Sequence, residues 1–292
     1  MLQLHRGVPF SAVRSSPGGQ AFSGDSMLDV EFAELTDVGK VRGHNEDYIG
    51  HSAPANGDEV RARGWLFALA DGVGGHDRGE VASSTAVELL LSSFSGTRAE
   101  EAAGTLLQRL IQAANLKVYE SGRESTPGGA PMCTTIVTCL LRYDRATIAH
   151  VGDSRGYLVR RGHARALTGD HTLVGEQVRM GLISEHEAAI SQRRHVLSRS
   201  LGANMIVNVD VNECQVLPGD LLLLSSDGLH GAVTTTEIAG ITSKFHDLKE
   251  AASHLVSLAR EKDGSDNISA QLIRINAVER VGMYRGRPYK LR

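Results

Sequence analysis

The chain has 292 residues, of which 41% are hydrophobic and 22% charged, and its formal net charge is -3. That balance excludes a disordered chain and gives no basis for nucleic acid or an anionic membrane as the main partner. A chain of this length buries a substantial core, in one large domain or two small ones.

Residues 1–27 are rich in Gly, Ser and Pro and are expected to form a flexible N-terminal tail. Arg6, Pro9, Arg14 and Pro17 break up the first twenty residues, so no secretory signal is read there and a cytoplasmic location is expected. Strands are predicted at residues 48–51 and 65–70, followed by amphipathic helices at 80–94 and 99–119. A Gly- and Pro-rich loop is predicted at 122–131, and strands at 134–141, 146–151 and 156–159, the last followed by a turn over 160–164. A helical insertion over 168–200 precedes a strand at 220–224. A short helix begins near Thr235 and Glu237, a longer one covers 248–260, and a strand covers 268–275. Residues 278–292 are expected to form a basic C-terminal tail carrying Arg285, Arg287, Lys290 and Arg292. No apolar run is long enough to span a bilayer. The helices are grouped rather than alternating with strands, which predicts an α+β fold of sheets packed against helices.

The three cysteines, Cys133, Cys139 and Cys214, form neither a CxxC pair nor a disulfide framework and are expected to be inert thiols. The acidic residues are more informative. Asp71-Gly72, Gly152-Asp153 and Asp227-Gly228 each end a predicted strand, Asp266-Asn267 opens the last one, and Glu46-Asp47 opens the strand at 48–51. Each alone reads as turn chemistry. Together they bring carboxylates to one end of a sheet stack, where like charges repel unless a cation neutralises them. Oxygen ligands without a His/Cys cluster point to Mg²⁺ or Mn²⁺ rather than zinc. Gly72, Gly74 and Gly75 do not form a nucleotide loop, because the lysine of the P-loop pattern is missing.

In chain order, the segments RGHNED (42–47), LFALADGVGGHDRGEVAS (66–83), CTTIVTCLL (133–141), HVGDSRGYLVRRG (150–162), LTGDHTLV (167–174), LSRSLG (197–202), LLLLSSDGL (221–229) and GSDNIS (264–269) resemble the bacterial branch of the type 2C metal-dependent protein phosphatases. The resemblance covers almost all of residues 28–277 and implies a single phosphatase domain there. It implies an αββα sandwich, two antiparallel sheets with helices outside. It implies two Mn²⁺ or Mg²⁺ ions in a cleft at one end, with Asp71 bridging them. The carbonyl of Gly72 and the carboxylate of Glu46 or Asp47 would serve one ion, and Asp227 and Asp266 the other. Asp153 stands where many bacterial members hold a third ion. Arg42 matches the arginine that grips the substrate phosphate, a task suited to its two-pronged guanidinium.

The activity implied is hydrolysis of phosphoserine and phosphothreonine on proteins by a metal-activated water, without a covalent phosphoenzyme. Val73 stands where eukaryotic members often carry a histidine, so the acid for the leaving group is left unassigned, with His76 nearby read as a packing residue. Residues 168–200 match the flap of bacterial members, with Leu173, Val174, Val178, Met180 and Leu182 forming an apolar face. The expected partners are phosphorylated proteins and a cognate Ser/Thr kinase in signalling or secretion control. The enzyme is expected to be a monomer.

Overall fold

A computed structural model describes residues 14–15, 27–73, 78–97, 101–125, 131–284 and 287–290. The strands are β1 (Arg14–Ser15), β2 (Asp29–Asp37), β3 (Asp47–Ser52), β4 (Trp65–Val73), β5 (Cys133–Thr134), β6 (Ile136–Arg142), β7 (Arg145–Val151), β8 (Arg155–Arg160), β9 (His163–Ala166), β10 (Asp210–Gln215), β11 (Leu221–Ser225), β12 (Ile268–Ala277), β13 (Val281–Tyr284) and β14 (Arg287–Lys290). The helices are α1 (Gly57–Ala62), α2 (Arg78–Ser95), α3 (Ala103–Ser125), α4 (Leu173–Arg179), α5 (Glu185–Ile190), α6 (Asp227–His230), α7 (Thr235–Lys244) and α8 (Leu248–Lys262).

Two antiparallel sheets lie face to face. One has the order β1-β2-β12-β11-β8-β9 and the other β10-β7-β6-β4-β3, with β5 added to the end of β4. The periodicity of the strands explains the layering. In β4, Leu66, Ala68 and Ala70 pack against α2 and α3, while the alternate residues Phe67 and Leu69 point to the opposite sheet. In β11, Leu222 and Leu224 face the first sheet's partner, and Leu221 and Leu223 face α7 and α8. Strands buried on both faces read as continuous apolar runs, which is why they were visible in the sequence. The result is helix, sheet, sheet, helix, the αββα sandwich that was expected, with three apolar layers. Each fully buried Leu contributes about 1.5–3 kcal/mol to that arrangement.

Outside the expected tails, β2 and β10 lie where no strand was predicted, and β9 begins within the predicted turn. β10 is polar and mostly exposed along the sheet edge, so it carries no apolar run. β2 intersperses Val30, Phe32 and Leu35 with Asp29, Glu31 and Glu34, and these acids hid it. α3 also extends to Ser125, into the predicted loop. Within the expected tails, Arg14–Ser15 pairs with β2, and β13 and β14 form a hairpin. Among the described residues, no helix is long and apolar enough to cross a membrane.

Candidate metal centre

The antiparallel pairing delivers the acids to one place. Asp47, the first residue of β3, lies directly across from Asp71 near the end of β4. Asp153 lies two residues past the end of β7, Asp227 two past β11, and Asp266 two before β12. All five predicted aspartates therefore converge on one end of the sandwich. Asp71 interacts electrostatically with Asp47, Asp227, Asp153 and Asp266.

Backbone contacts fix this end tightly. Asp71 N–H donates to Thr135 Oγ1 at 3.0 Å, Thr135 N–H donates to the Asp71 carbonyl at 2.8 Å, and Thr134 Oγ1 donates to that carbonyl at 2.7 Å. Asn267 clamps the loop that carries Arg42 and Glu46. Its Oδ1 accepts from Glu46 N–H at 2.8 Å, and its Nδ2 donates to the carbonyls of Val38 and His44 at 3.0 and 3.1 Å. Ser226 donates to Asp47 Oδ2 at 2.7 Å. Asn267, Ser226 and Thr135 are positioning residues absent from the predicted site; their only sequence signal is adjacency to an acid or to a matched motif.

Burial and crowding set the protonation of the acids. Burial, opposed by hydrogen bonds from Ser269 and Ser226 and reinforced by Asp227 and Asp266, raises Asp47 to about 7. Burial first, then Asp227 and Asp170, raises Asp153 to about 7. Burial and the four neighbouring aspartates hold Asp71 well above the ordinary carboxylate range. Asp227 stays below it, because contacts with His195, His230 and Arg42 outweigh its burial. Such a cluster favours binding cations over remaining bare.

Asp47 Oδ1 and Asp227 Oδ1 are buried without a hydrogen-bond partner, although buried oxygens normally have one. The other carboxylate, Glu46, is held by His44 Nε2 at 3.0 Å from its Oε1, and its Oε2 turns toward Gly79. A Cβ on Gly79 would meet that oxygen and would sit 3.1 Å from the Gly72 carbonyl carbon. The missing side chain thus keeps open a space shared by the Glu46 carboxylate and the Gly72 backbone. Orphaned hard oxygens and a space a methyl group would fill both fit divalent cations. Arg42 lies at the rim, donating through Nη2 to Asp266 Oδ2 at 2.7 Å.

A model of the protein phosphatase 2C family matches residues 44–272. The chain belongs to the protein phosphatase 2C family. It is an enzyme of the metal-dependent serine/threonine phosphatase class. The serine/threonine phosphatase Stp of Listeria innocua is 36% identical over 84% of this chain and 96% of its own. The serine/threonine phosphatase of S. agalactiae superposes with a TM-score of 0.77 at 34% identity, over 85% of this chain and all of that one. The catalytic domain of the phosphatase PstP in complex with two manganese ions superposes at 0.71, with 30% identity over 85% of this chain and 99% of that one. Members of this family use Mn²⁺ or Mg²⁺, in agreement with the oxygen-rich site.

One expectation, that of the flap, changes in detail. The flap contains α4, capped by Thr172, and α5, with a capping box at Ser184, but of its expected apolar face only Val174 is buried; Leu173 is 39%, Met180 64% and Leu182 66% exposed. These helices stand off the sheets over a cavity of about 630 Å³ that runs to Asp153 and Asp227 and is lined by Val174, Val178 and His195. Val73 is part of β4, and His76 lies outside the described residues. Cys139 and Arg145 stand at the Cys-x5-Arg spacing of cysteine phosphatases. Cys139 is fully buried between the sheets, burial pushes its thiol far up, and Arg145 begins β7 at the opposite end from the acids. No cysteine nucleophile is available there.

Proposed function

We propose that this chain removes phosphate from phosphoserine and phosphothreonine in cytoplasmic proteins, acting as a monomer that opposes a bacterial Ser/Thr kinase in signalling or secretion control. The carrying observation is the pair of buried, unpartnered oxygens of Asp47 and Asp227 within the five-aspartate cluster.

In this reading Asp71 would help to hold two cations. Glu46 and the Gly72 carbonyl, which share the space beside Gly79, serve one of them. Asp227 and Asp266 serve the other, and Asp47 flanks that second pair, as its interactions with both suggest. Asp153 serves a third position at the mouth of the cavity under the flap. When bound, the cations supply Lewis-acid activation of a water and of the phosphoryl group. Arg42 offers its fork to the phosphoryl oxygens and aligns the ester for in-line attack. Thr134, Thr135, Asn267 and Ser226 hold the acids in place, so that little reorganisation accompanies the reaction. The cavity extends well beyond the space a phosphoryl group needs, which favours a protein segment over a small ester as substrate.

The test is phosphate release from a phosphothreonine peptide, with and without Mn²⁺, for the wild type and Asp71→Asn. Activity that requires Mn²⁺ and falls at least about 1,000-fold in the variant supports the reading. A folded, metal-loaded wild type that releases nothing from several phosphopeptides refutes it.

A further inference from the structure

His150, His171 and Asp210 form a tight cluster of metal-ligand types away from the five aspartates. Its contacts already engage both ring nitrogens of His171, one of His150 and both carboxylate oxygens of Asp210. Gly152 N–H donates to His171 Nδ1 at 3.1 Å, so that nitrogen is an acceptor and the ring proton sits on Nε2. Nε2–H points to Asp210 Oδ2 at 3.2 Å. His150 spends its Nε2 on the Gly169 carbonyl at 2.8 Å and stacks on His171 with ring centroids 4.6 Å apart. The cation of the cluster is already present: Arg199 Nη1 lies 2.6 Å from Asp210 Oδ1 and 3.2 Å from His171 Nε2.

These residues occupy both roots of the flap. His171 is near its entrance and Arg199 near its exit, and Ser198 N–H donates to the His171 carbonyl at 2.9 Å. Thr172 and Leu197 form an isolated bridge alongside. Asp210 opens β10, a fixed strand paired with β7. At the other end of the chain of contacts, His171 grips Gly152 twice, through its ring and through its own N–H to the Gly152 carbonyl at 3.0 Å. Gly152 directly precedes Asp153.

We propose that His171 is a positioning residue whose two ring nitrogens do separate jobs: Nε2, through Asp210 and Arg199, fixes the roots of the flap, and Nδ1 fixes the turn that presents Asp153 to a divalent cation. The second job rests on the assignment of Asp153 made under the proposed function; the first does not.

Two isosteric variants separate the jobs. The side-chain oxygen of His171→Asn falls near Nδ1 and keeps the Gly152 contact while losing Asp210. The amide of His171→Gln reaches toward Nε2 and keeps Asp210 while losing Gly152. Amide hydrogen exchange of metal-free protein reads the flap roots. In His171→Asn the amides of Leu173 and Ser198 exchange at least about 10-fold faster, and KM for a phosphothreonine peptide rises with kcat on p-nitrophenyl phosphate held near wild type. In His171→Gln exchange stays at the wild-type rate, while the Mn²⁺ concentration for half-maximal activity rises about 10-fold. Asp210→Asn, a change at a half-exposed position on a sheet edge, reproduces His171→Asn and serves if either histidine variant fails to fold. Wild-type exchange and KM in Asp210→Asn would overturn the flap role. Equal Mn²⁺ requirements in the two histidine variants would overturn the division of labour. If the wild type's own Mn²⁺ requirement is unaffected by Asp153→Asn, the assignment of Asp153 fails, and the exchange result alone decides the role of Nε2.

Discussion

Gly79 and Glu46 compete for the same space. A Cβ on Gly79 would lie 2.8 Å from Glu46 Cδ and in contact with its Oε2. The nearest obstructing atoms are the end of a flexible side chain and the Gly72 carbonyl carbon stands farther off at 3.1 Å, so Gly79→Ala displaces the carboxylate first and the backbone by only a few tenths of an ångström. The variant is expected to bind Mn²⁺ at least about 10-fold more weakly in a calorimetric titration, with its melting temperature close to that of the wild type. Unchanged affinity would remove Glu46 from the set of ligands.

Arg42 and Asp266 make an ion pair with side chains 39% and 35% exposed. Exposed pairs contribute only about 0–1 kcal/mol to stability, so Arg42→Ala should melt like the wild type. Its effect belongs to the substrate. KM for a phosphothreonine peptide should rise about 10-fold or more, and Arg42→Lys should recover only part of that loss, because the ammonium keeps the charge and lacks the fork. Steady-state kinetics with both variants check this, and full recovery by lysine would show that charge alone matters.

Gly152 adopts φ +104°, and a Cβ there would lie 2.6 Å from Thr135 Cγ2. Thr135 is the residue that holds the Asp71 peptide. Gly152→Ala is therefore expected to lose about 2–4 kcal/mol of stability in urea unfolding, from backbone strain and collision together. A loss under about 0.5 kcal/mol would mean that the turn relaxes freely.

How much of this was legible in the sequence depended on whether a residue's role was local. Asp71, Asp153 and Asp227 each follow an apolar strand, so their arrival at one end of a sandwich could be read from strand limits alone. The buried strands β4 and β11 announced themselves as apolar runs, whereas β10, which supplies Asp210, is a polar edge with no such run. The supports of the site were hidden for a different reason. Asn267 reaches Glu46 across 221 residues of sequence, and Ser226 reaches Asp47 across 179. No local pattern encodes a contact that only the closed sandwich creates. The flap misled in the opposite sense: Met180 and Leu182 keep helical spacing with Val174 and Val178, yet they are exposed, because α4 ends at Arg179 and both lie in the turn before α5.

Asp47 gives the metal-free protein a pH dependence whose sign can be worked out. In an unfolded chain its carboxyl titrates near 4, whereas in the fold burial raises it to about 7. Between those values the folded protein holds a proton that the unfolded chain does not. Stability from this group is fully present below about pH 4 and is lost as pH rises through about 7. Asp47→Asn removes the charge and keeps an oxygen to accept from Ser226. Stripped of metal with a chelator, the variant should exceed the wild type by about 1–3 kcal/mol at pH 8, and the gain should shrink toward zero near pH 4. Saturating Mn²⁺ should abolish the advantage at pH 8, because cations then neutralise the crowded acids. Thermal melts of both proteins at pH 5 and 8, with chelator and with Mn²⁺, test each part. A gain of equal size at both pH values would show that the aspartate's packing, not its charge, is what the substitution relieves.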